Sequence, residues 1–349
     1  MRTIEWDSSR KFVMIIDQRS LPGRFERIPI RSAPKMIHAI KTMTIRGAPA
    51  LGVATAFGMA LAAFRCKTRD ERSLAQAVID IGIELMNVRP TAVNMRWAYQ
   101  RIKSVCYIGF GSADKLRLAI LTEAQNIADE DVQTNLAMAK YGSALIVDGD
   151  TIIHHCNTGA LAAVEWGTAL GCIRMAHEQG KRVHVLVDET RPLLQGSRLT
   201  AWELMQYRIP FEIICDGAAG YFLSNGKVQR VMFGADRVAA NGDVANKIGT
   251  YPLALAAWTN KVPVISVCPS SSIDLTILDG KQIPIEQRDP DEVLRLSVDH
   301  QGIAPRDAKA LNPAFDVTPN RYVDSIVTEK GVVKQPYGRN LLRILATEG

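Results

Sequence analysis

The apolar positions of this chain follow two rhythms, one in each half. In the first half they recur at helical spacing. The run "SAPKMIHAIKTM" places Met36, Ile37, Ile40 and Met43 along one helix face, with Pro34 near the start, where a missing N–H costs nothing. After the break "TIRGAP" the pattern predicts a second helix from about Pro49. The polar stretch "CKTRDERS" ends it and leads into a third, "LAQAVIDIGIELMNV". A long helical run is predicted from about Ser112 to Tyr141. Ahead of this set, "FVMIIDQRSLPG" reads as a short strand and turn of a small sheet.

From about residue 150 the rhythm changes. "TIIHHC", "RVHVLVDE", "FEIICD", "RVMFGAD" and "VPVISVCP" are short, nearly continuous apolar runs set apart by helical or turn segments. Such runs mark parallel strands covered on both faces. Helices are predicted between them over Gly159–Gln179 and Ala201–Tyr207, with another from near Tyr251. The fold class expected is α/β. A mainly helical N-terminal domain with a small sheet spans 1–125, and a Rossmann-like domain with a mostly parallel sheet spans 126–349. The division falls between 110 and 150. The last segments, "NPAFDVTPN" and "YVDSIVTEKGVV", read as turns and strands folding back onto the second domain.

Composition narrows the partners. A hydrophobic share of 47% over 349 residues excludes a largely disordered chain. The net charge of +6, from 42 Lys+Arg against 36 Asp+Glu, is dispersed and includes no basic tract. That balance suits an anionic small molecule and argues against nucleic acid. The six cysteines form no CxxC pair and the start, "MRTIEWDSSR", is polar, so free thiols in a reducing cytoplasm are expected. The apolar run "PALGVATAFGMALAAF" falls short of the roughly 20 residues of a membrane span. A buried helix and no membrane partner are expected.

Open parallel sheets bind ligands beyond the carboxyl ends of their strands. That rule singles out Cys156, Asp188-Glu189, Asp216, Asp236-Arg237 and Cys268. No GxGxxG follows a strand, so no dinucleotide cofactor is expected. Cys156 stands where a strand gives way to a helix predicted from Gly159. A helix N-terminus there would favour the thiolate; the alternative is a small buried residue under a tight turn. On a strand, His154 and His155 point to opposite faces, so no metal site is expected. Arg46-Gly47-Ala48, just before the second helix, offers a forked cation and unpaired N–H groups to a phosphate, or else an ordinary turn with a surface arginine. Arg89, followed by Pro90, repeats the theme. Asp236 at the end of a buried strand suits acid–base work, against helix capping or pairing with Arg237. Gln195, Asn246 and Lys247 lie in segments read as loops and offer donors to hydroxyl or phosphate groups.

The order "RGAPALG", "RPTAVNMRWA", "HCNTGALA", "GTALG", "DETRPLLQGSRLTAWEL" and "GADRVAANGDVANKIGTY" resembles the family that unites the 5-methylthioribose-1-phosphate isomerases with the alpha, beta and delta subunits of translation initiation factor 2B. The resemblance runs from "IIDQRSLPG" to "NPAFDVTP". It implies isomerisation of 5-methylthioribose 1-phosphate to 5-methylthioribulose 1-phosphate in methionine salvage, without cofactor or metal, by a homodimer. Cys156 and Asp236 match the catalytic pair. Arg46, Gly47 and Ala48 match the phosphate loop, and Arg89, Gln195, Asn246 and Lys247 the other substrate contacts. The alternatives are a related pentose or 5-deoxypentose 1-phosphate as substrate, or a non-catalytic regulatory subunit. Three positions depart from the family's isomerases. Gly217 replaces an asparagine, Thr158 an alanine, and "VEWGTALG" a segment ending "GYGTALG".

Overall fold

The computed structural model describes residues 1–89, 92–299 and 301–346. The chain packs as two compact units. Met1–Leu136 with Thr158–Gly167 form the first, and Ala137–Asn157 with Thr168–Gly349 the second.

The first unit opens with an antiparallel sheet of β1 (Ile4–Asp7), β2 (Phe12–Ile16) and β3 (Arg27–Ile30), in the order β1-β2-β3. Helices α1 (Ala33–Lys41), α2 (Ala48–Arg65), α3 (Glu71–Val88) and α4 (Val93–Cys106) follow. The apolar run of the sequence is α2, and it packs against α1, α3 and α4 with Val53, Phe57, Met59 and Leu61 in the core. A helix apolar on every side is stable in water only when neighbours cover it. Helix α5 (Ala113–Ser143) carries the chain onward.

In the second unit the strands β4 (Thr151–His154), β5 (His184–Asp188), β6 (Phe211–Ile214) and β7 (Arg230–Gly234) alternate with α6 (Ala169–Glu178), α7 (Ala201–Tyr207) and α8 (Ala219–Ser224). A four-stranded excursion begins with β8 (Arg237–Ala239) and β9 (Val244–Lys247). Then come α9 (Thr250–Thr259), β10 (Val264–Val267), β11 (Ile273–Asp274), α10 (Asp291–Leu294) and the hairpin β12 (Ser297–Val298) with β13 (Gln301–Gly302). The chain finishes with β14 (Phe315–Thr318), β15 (Ser325–Thr328), β16 (Gly331–Val333) and α11 (Tyr337–Ala346).

The main sheet runs β16-β15-β10-β7-β4-β5-β6, parallel throughout except for β16. Side chains alternate between two cores, as strand geometry requires. Ile153, Leu186, Val231 and Phe233 meet α8, α9 and α11 on one face. Ile152, Val185, Val187 and Met232 meet α6 and α7 on the other. From β4 the chain winds outward to β5 and β6, then returns to the other side of β4 as β7. The topological switch point therefore lies between β4 and β7.

The two units divide after Leu136, inside α5, and residues 158–167 return to the first unit. Two expectations need correction. The helix predicted over Gly159–Gln179 is a single tight turn, Ala160–Ala162, followed only later by α6. Its backbone is claimed by partners far along the chain. Thr3 donates to the Ala160 carbonyl, Gln18 to that of Leu161, and the Asp131 carboxylate accepts the Val164 N–H. Asn246 and Lys247 lie on strand β9, paired with β14 about seventy residues on, and not in a loop. The segments "NPAFDVTPN" and "YVDSIVTEKGVV" supply β14, β15 and β16 as expected, and α11 beyond them packs its apolar face, Tyr337 and Leu341, on the sheet.

Candidate active site

Parallel pairing of β4 with β7 sets His154 opposite Met232. Cys156 follows two residues after the one end and Asp236 two residues after Gly234 at the other. Neighbouring strands lie about 4.8 Å apart, and this register sets Cys156 level with Gly234, so Cys156 and Asp236 leave adjacent strands at the same edge of the sheet, at the switch point.

Cys156 is held in an unusual backbone state. Its φ is 66°, and that of Thr190 is 63°. The left-handed region costs a non-glycine residue about 1–3 kcal/mol and persists only where its surroundings enforce it. Here they do. The Cys156 N–H donates to Thr190 Oγ1 at 2.9 Å, and that hydroxyl donates to the Asp188 carbonyl. Thr200 Oγ1 donates to the Cys156 carbonyl at 2.7 Å. Asn157 donates to Thr200 Oγ1 and to the buried carboxylate of Glu203. The thiol is thus presented by a clamped turn. The expectation that a helix N-terminus directly follows it does not hold, since the next α-helix begins at Ala169.

Asp236 is half-buried and tied by its N–H to the Ala245 carbonyl at 2.9 Å. The pairing of Arg237 with Ala245 sets it beside Asn246. The Arg237 guanidinium lies 3.7 Å from Asp274. Asn246 donates to Thr250 Oγ1, and the buried Lys247 ammonium donates to the Ala314 carbonyl over the Phe315 ring. Gln195, read as a loop residue, begins the helical turn that leads into α7. It is 5% exposed and its Oε1 has no hydrogen-bond partner among the described residues. A buried acceptor of that kind calls for a donor from outside the chain. Cys156, Asp236, Gln195, Asn246 and Lys247 therefore all sit in the second unit.

Arg46, Gly47, Ala48 and Arg89 belong to the first unit. Gly47 caps α2 with φ 95°, and a β-carbon there would stand 2.4 Å from the Ala162 backbone, so only glycine fits. The first N–H groups of α2, opened by Pro49, have no acceptor within the helix. Arg89 donates to Met43 Sδ at 3.8 Å, three residues before Arg46. Pro90 lies outside the described residues.

The two histidines differ sharply. His154 is fully buried, and burial followed by the charge of His155 pushes it down to about 3. Its ordinary value is 6.5, so its contribution to stability is complete above pH 6.5 and lost as pH falls toward 3, by about 5 kcal/mol in full. The Tm of His154→Leu should decline less steeply than the parent's between pH 6.5 and 4; parallel curves would refute this. His155 Nδ1 meets Asp188 Oδ2 at 2.9 Å and Nε2 meets the Ile248 carbonyl at 2.9 Å.

Ligand atoms of His155, Asp188 and Asp216 lie within 4.8 Å of one another, a grouping able to hold a cation that the reading of the histidines alone did not foresee. Asp216 accepts the N–H groups of Thr190 and Arg191, and both His155 nitrogens are engaged, so the residues serve one another and do not fit a metal. The strand-end rule had picked out Asp188 and Asp216. Nothing local marked Thr190, Thr200 or Glu203, whose partners lie 34 to 46 residues away.

Comparison with known proteins places this geometry in a lineage. Residues 44–335 match the model of the "Initiation factor 2 subunit family". The methylthioribose-1-phosphate isomerase of Thermotoga maritima is 47% identical, over 99% of this chain and 98% of that one. The crystal structure of 5-methylthioribose 1-phosphate isomerase from Pyrococcus horikoshii superposes with a TM-score of 0.91 at 43% identity, covering 99% of this chain and 95% of that one. A translation initiation factor eIF-2B subunit delta from A. fulgidus gives 0.88 at 39%, covering 99% and 100%. With identity of this order over almost its full length, the chain belongs to the initiation factor 2 subunit family.

Proposed function

We propose that this chain isomerises 5-methylthioribose 1-phosphate to 5-methylthioribulose 1-phosphate, an aldose–ketose conversion of methionine salvage. The observation that carries the reading is that Cys156 and Asp236 leave adjacent strands at the switch point, with Cys156 held in a left-handed turn clamped by Thr190 and Thr200. The names of the Thermotoga maritima and Pyrococcus horikoshii relatives supply the substrate.

Phosphate on the anomeric carbon prevents the sugar ring from opening as a free aldose does. In this reading Asp236, in its acid form, protonates the ring oxygen as the C1–O bond breaks. Cys156, as thiolate, removes the proton on C2 and leaves an enol phosphate. Asp236 then takes the C2 hydroxyl proton, Cys156 returns its proton to C1, and the ketose results. Each group contributes about 10²–10⁴-fold. Gln195 and Asn246 read the hydroxyls. In the roles the resemblance assigns, Arg46 and the N–H groups around Gly47 and Ala48 take the phosphate, and Arg89 and Lys247 make other contacts to the substrate. A homodimer working in the cytoplasm belongs to the same reading. The family resemblance supports the first part and the six free cysteines the second.

The test is turnover on a panel of 5-methylthioribose, 5-deoxyribose and ribose 1-phosphates. We expect the methylthio sugar to be the best substrate. A panel that binds without isomerising would favour a regulatory subunit, the reading to which the A. fulgidus relative points. Run in D2O, proton transfer through Cys156 puts solvent deuterium on C1 of the product. A product free of deuterium would assign a direct hydride shift from C2 to C1.

A further inference from the structure

His155 is a buried, charge-bearing group for which the proposed reaction has no chemical task. Among the described residues its Nε2 meets the Ile248 carbonyl, an acceptor, so that nitrogen carries a proton. A second proton lies between Nδ1 and Asp188 Oδ2. Carboxylates surround the ring: Asp188 at the end of β5, Asp216 after β6, and Asp316 on β14. Burial works to lower the His155 pKa, but the Asp188 hydrogen bond and the charges of Asp188 and Asp216 outweigh it and hold the value above that of ordinary imidazole. The ring is also wedged in place. Gly249 lies against it with φ 101°, and a β-carbon there would stand 2.8 Å from Cε1.

These contacts join three strand ends. His155 precedes Cys156 directly. Asp188 ends β5. Ile248 follows Lys247 at the end of β9, the strand that holds Asp236 through the Ala245 carbonyl. We propose that His155 is a positioning residue whose doubly protonated ring ties the Cys156 turn to the end of β9 and so sets the thiol against Asp236 and Asn246. The proposal rests on Cys156 and Asp236 being the reacting pair. It explains why a histidine, and not an apolar residue, fills a fully buried place beside the thiol: two donors diverging from one rigid ring reach a carboxylate and a carbonyl on different strands.

The test uses the full chain with His155→Gln and Asp188→Asn. Two quantities are read: kcat and KM on 5-methylthioribose 1-phosphate per folded molecule, and the rate at which iodoacetamide alkylates Cys156, followed by peptide mass spectrometry. We expect kcat to fall about 10- to 100-fold in both variants, the cost of a small misplacement of reacting groups. KM should stay within about threefold, and the Cys156 alkylation rate should change by about fivefold or more. Parent-like kcat and alkylation in folded His155→Gln would overturn the proposal. So would a loss explained wholly by a smaller folded fraction. If the parent itself does not isomerise the sugar phosphate, the functional reading falls, and the alkylation rates alone decide the role of His155.

Discussion

Cys156→Ser should fold as the parent does and lose about 10²–10⁴-fold in kcat. The contacts that hold the turn are to the backbone N–H and carbonyl of residue 156, from Thr190 and Thr200, and serine keeps both. Stability should therefore stay within about 1 kcal/mol of the parent. What changes is the basicity of the side chain, because a serine hydroxyl does not ionise in the range open to a thiol. Circular dichroism and steady-state kinetics on one preparation check both halves. Near-normal turnover in the folded variant would remove Cys156 from the reaction. Cys156→Gly is a companion: it relieves the left-handed strain, so Tm should hold while activity is lost.

Asp236→Asn is expected to be equally severe, about 10²–10⁴-fold in kcat, with KM little altered. The amide keeps the shape of the carboxyl, and the backbone bond to Ala245 is untouched, but an amide cannot serve as the acid that opens the ring. The more discriminating variant joins both changes. Groups that act as one unit are strongly non-additive, so Cys156→Ser/Asp236→Asn should lie within about tenfold of the worse single variant. Costs that multiply fully would mean the two residues act in independent steps, and the pairing at the switch point would lose its meaning.

Much of the molecule was legible because its signals are local. Helices α1, α2, α3 and α5 follow from periodicity and breakers, and the parallel strands from short buried apolar runs between turns. Cys156 and Asp236 follow from a rule about strand ends. The misreadings share one cause. The segment after Gly159 has the small apolar residues of a helix, yet Thr3, Gln18 and Asp131 compete for its backbone groups. "VANK" reads as a polar loop until β14 pairs with it.

The sequence by itself determined which residue types stand at the strand ends and which stretches form helix or strand. These properties depend on neighbours within a few residues. Only the tertiary structure decided the order of the strands. That order puts β7 beside β4, so that Cys156 and Asp236 leave adjacent strands although eighty positions apart. It also turned His155 from a discarded metal ligand into a tie between Asp188 and Ile248, 33 and 93 residues away. Side-chain periodicity is set one turn or one pleat at a time. Which strand lies next to which is set by crossovers, whose handedness and length no local pattern records.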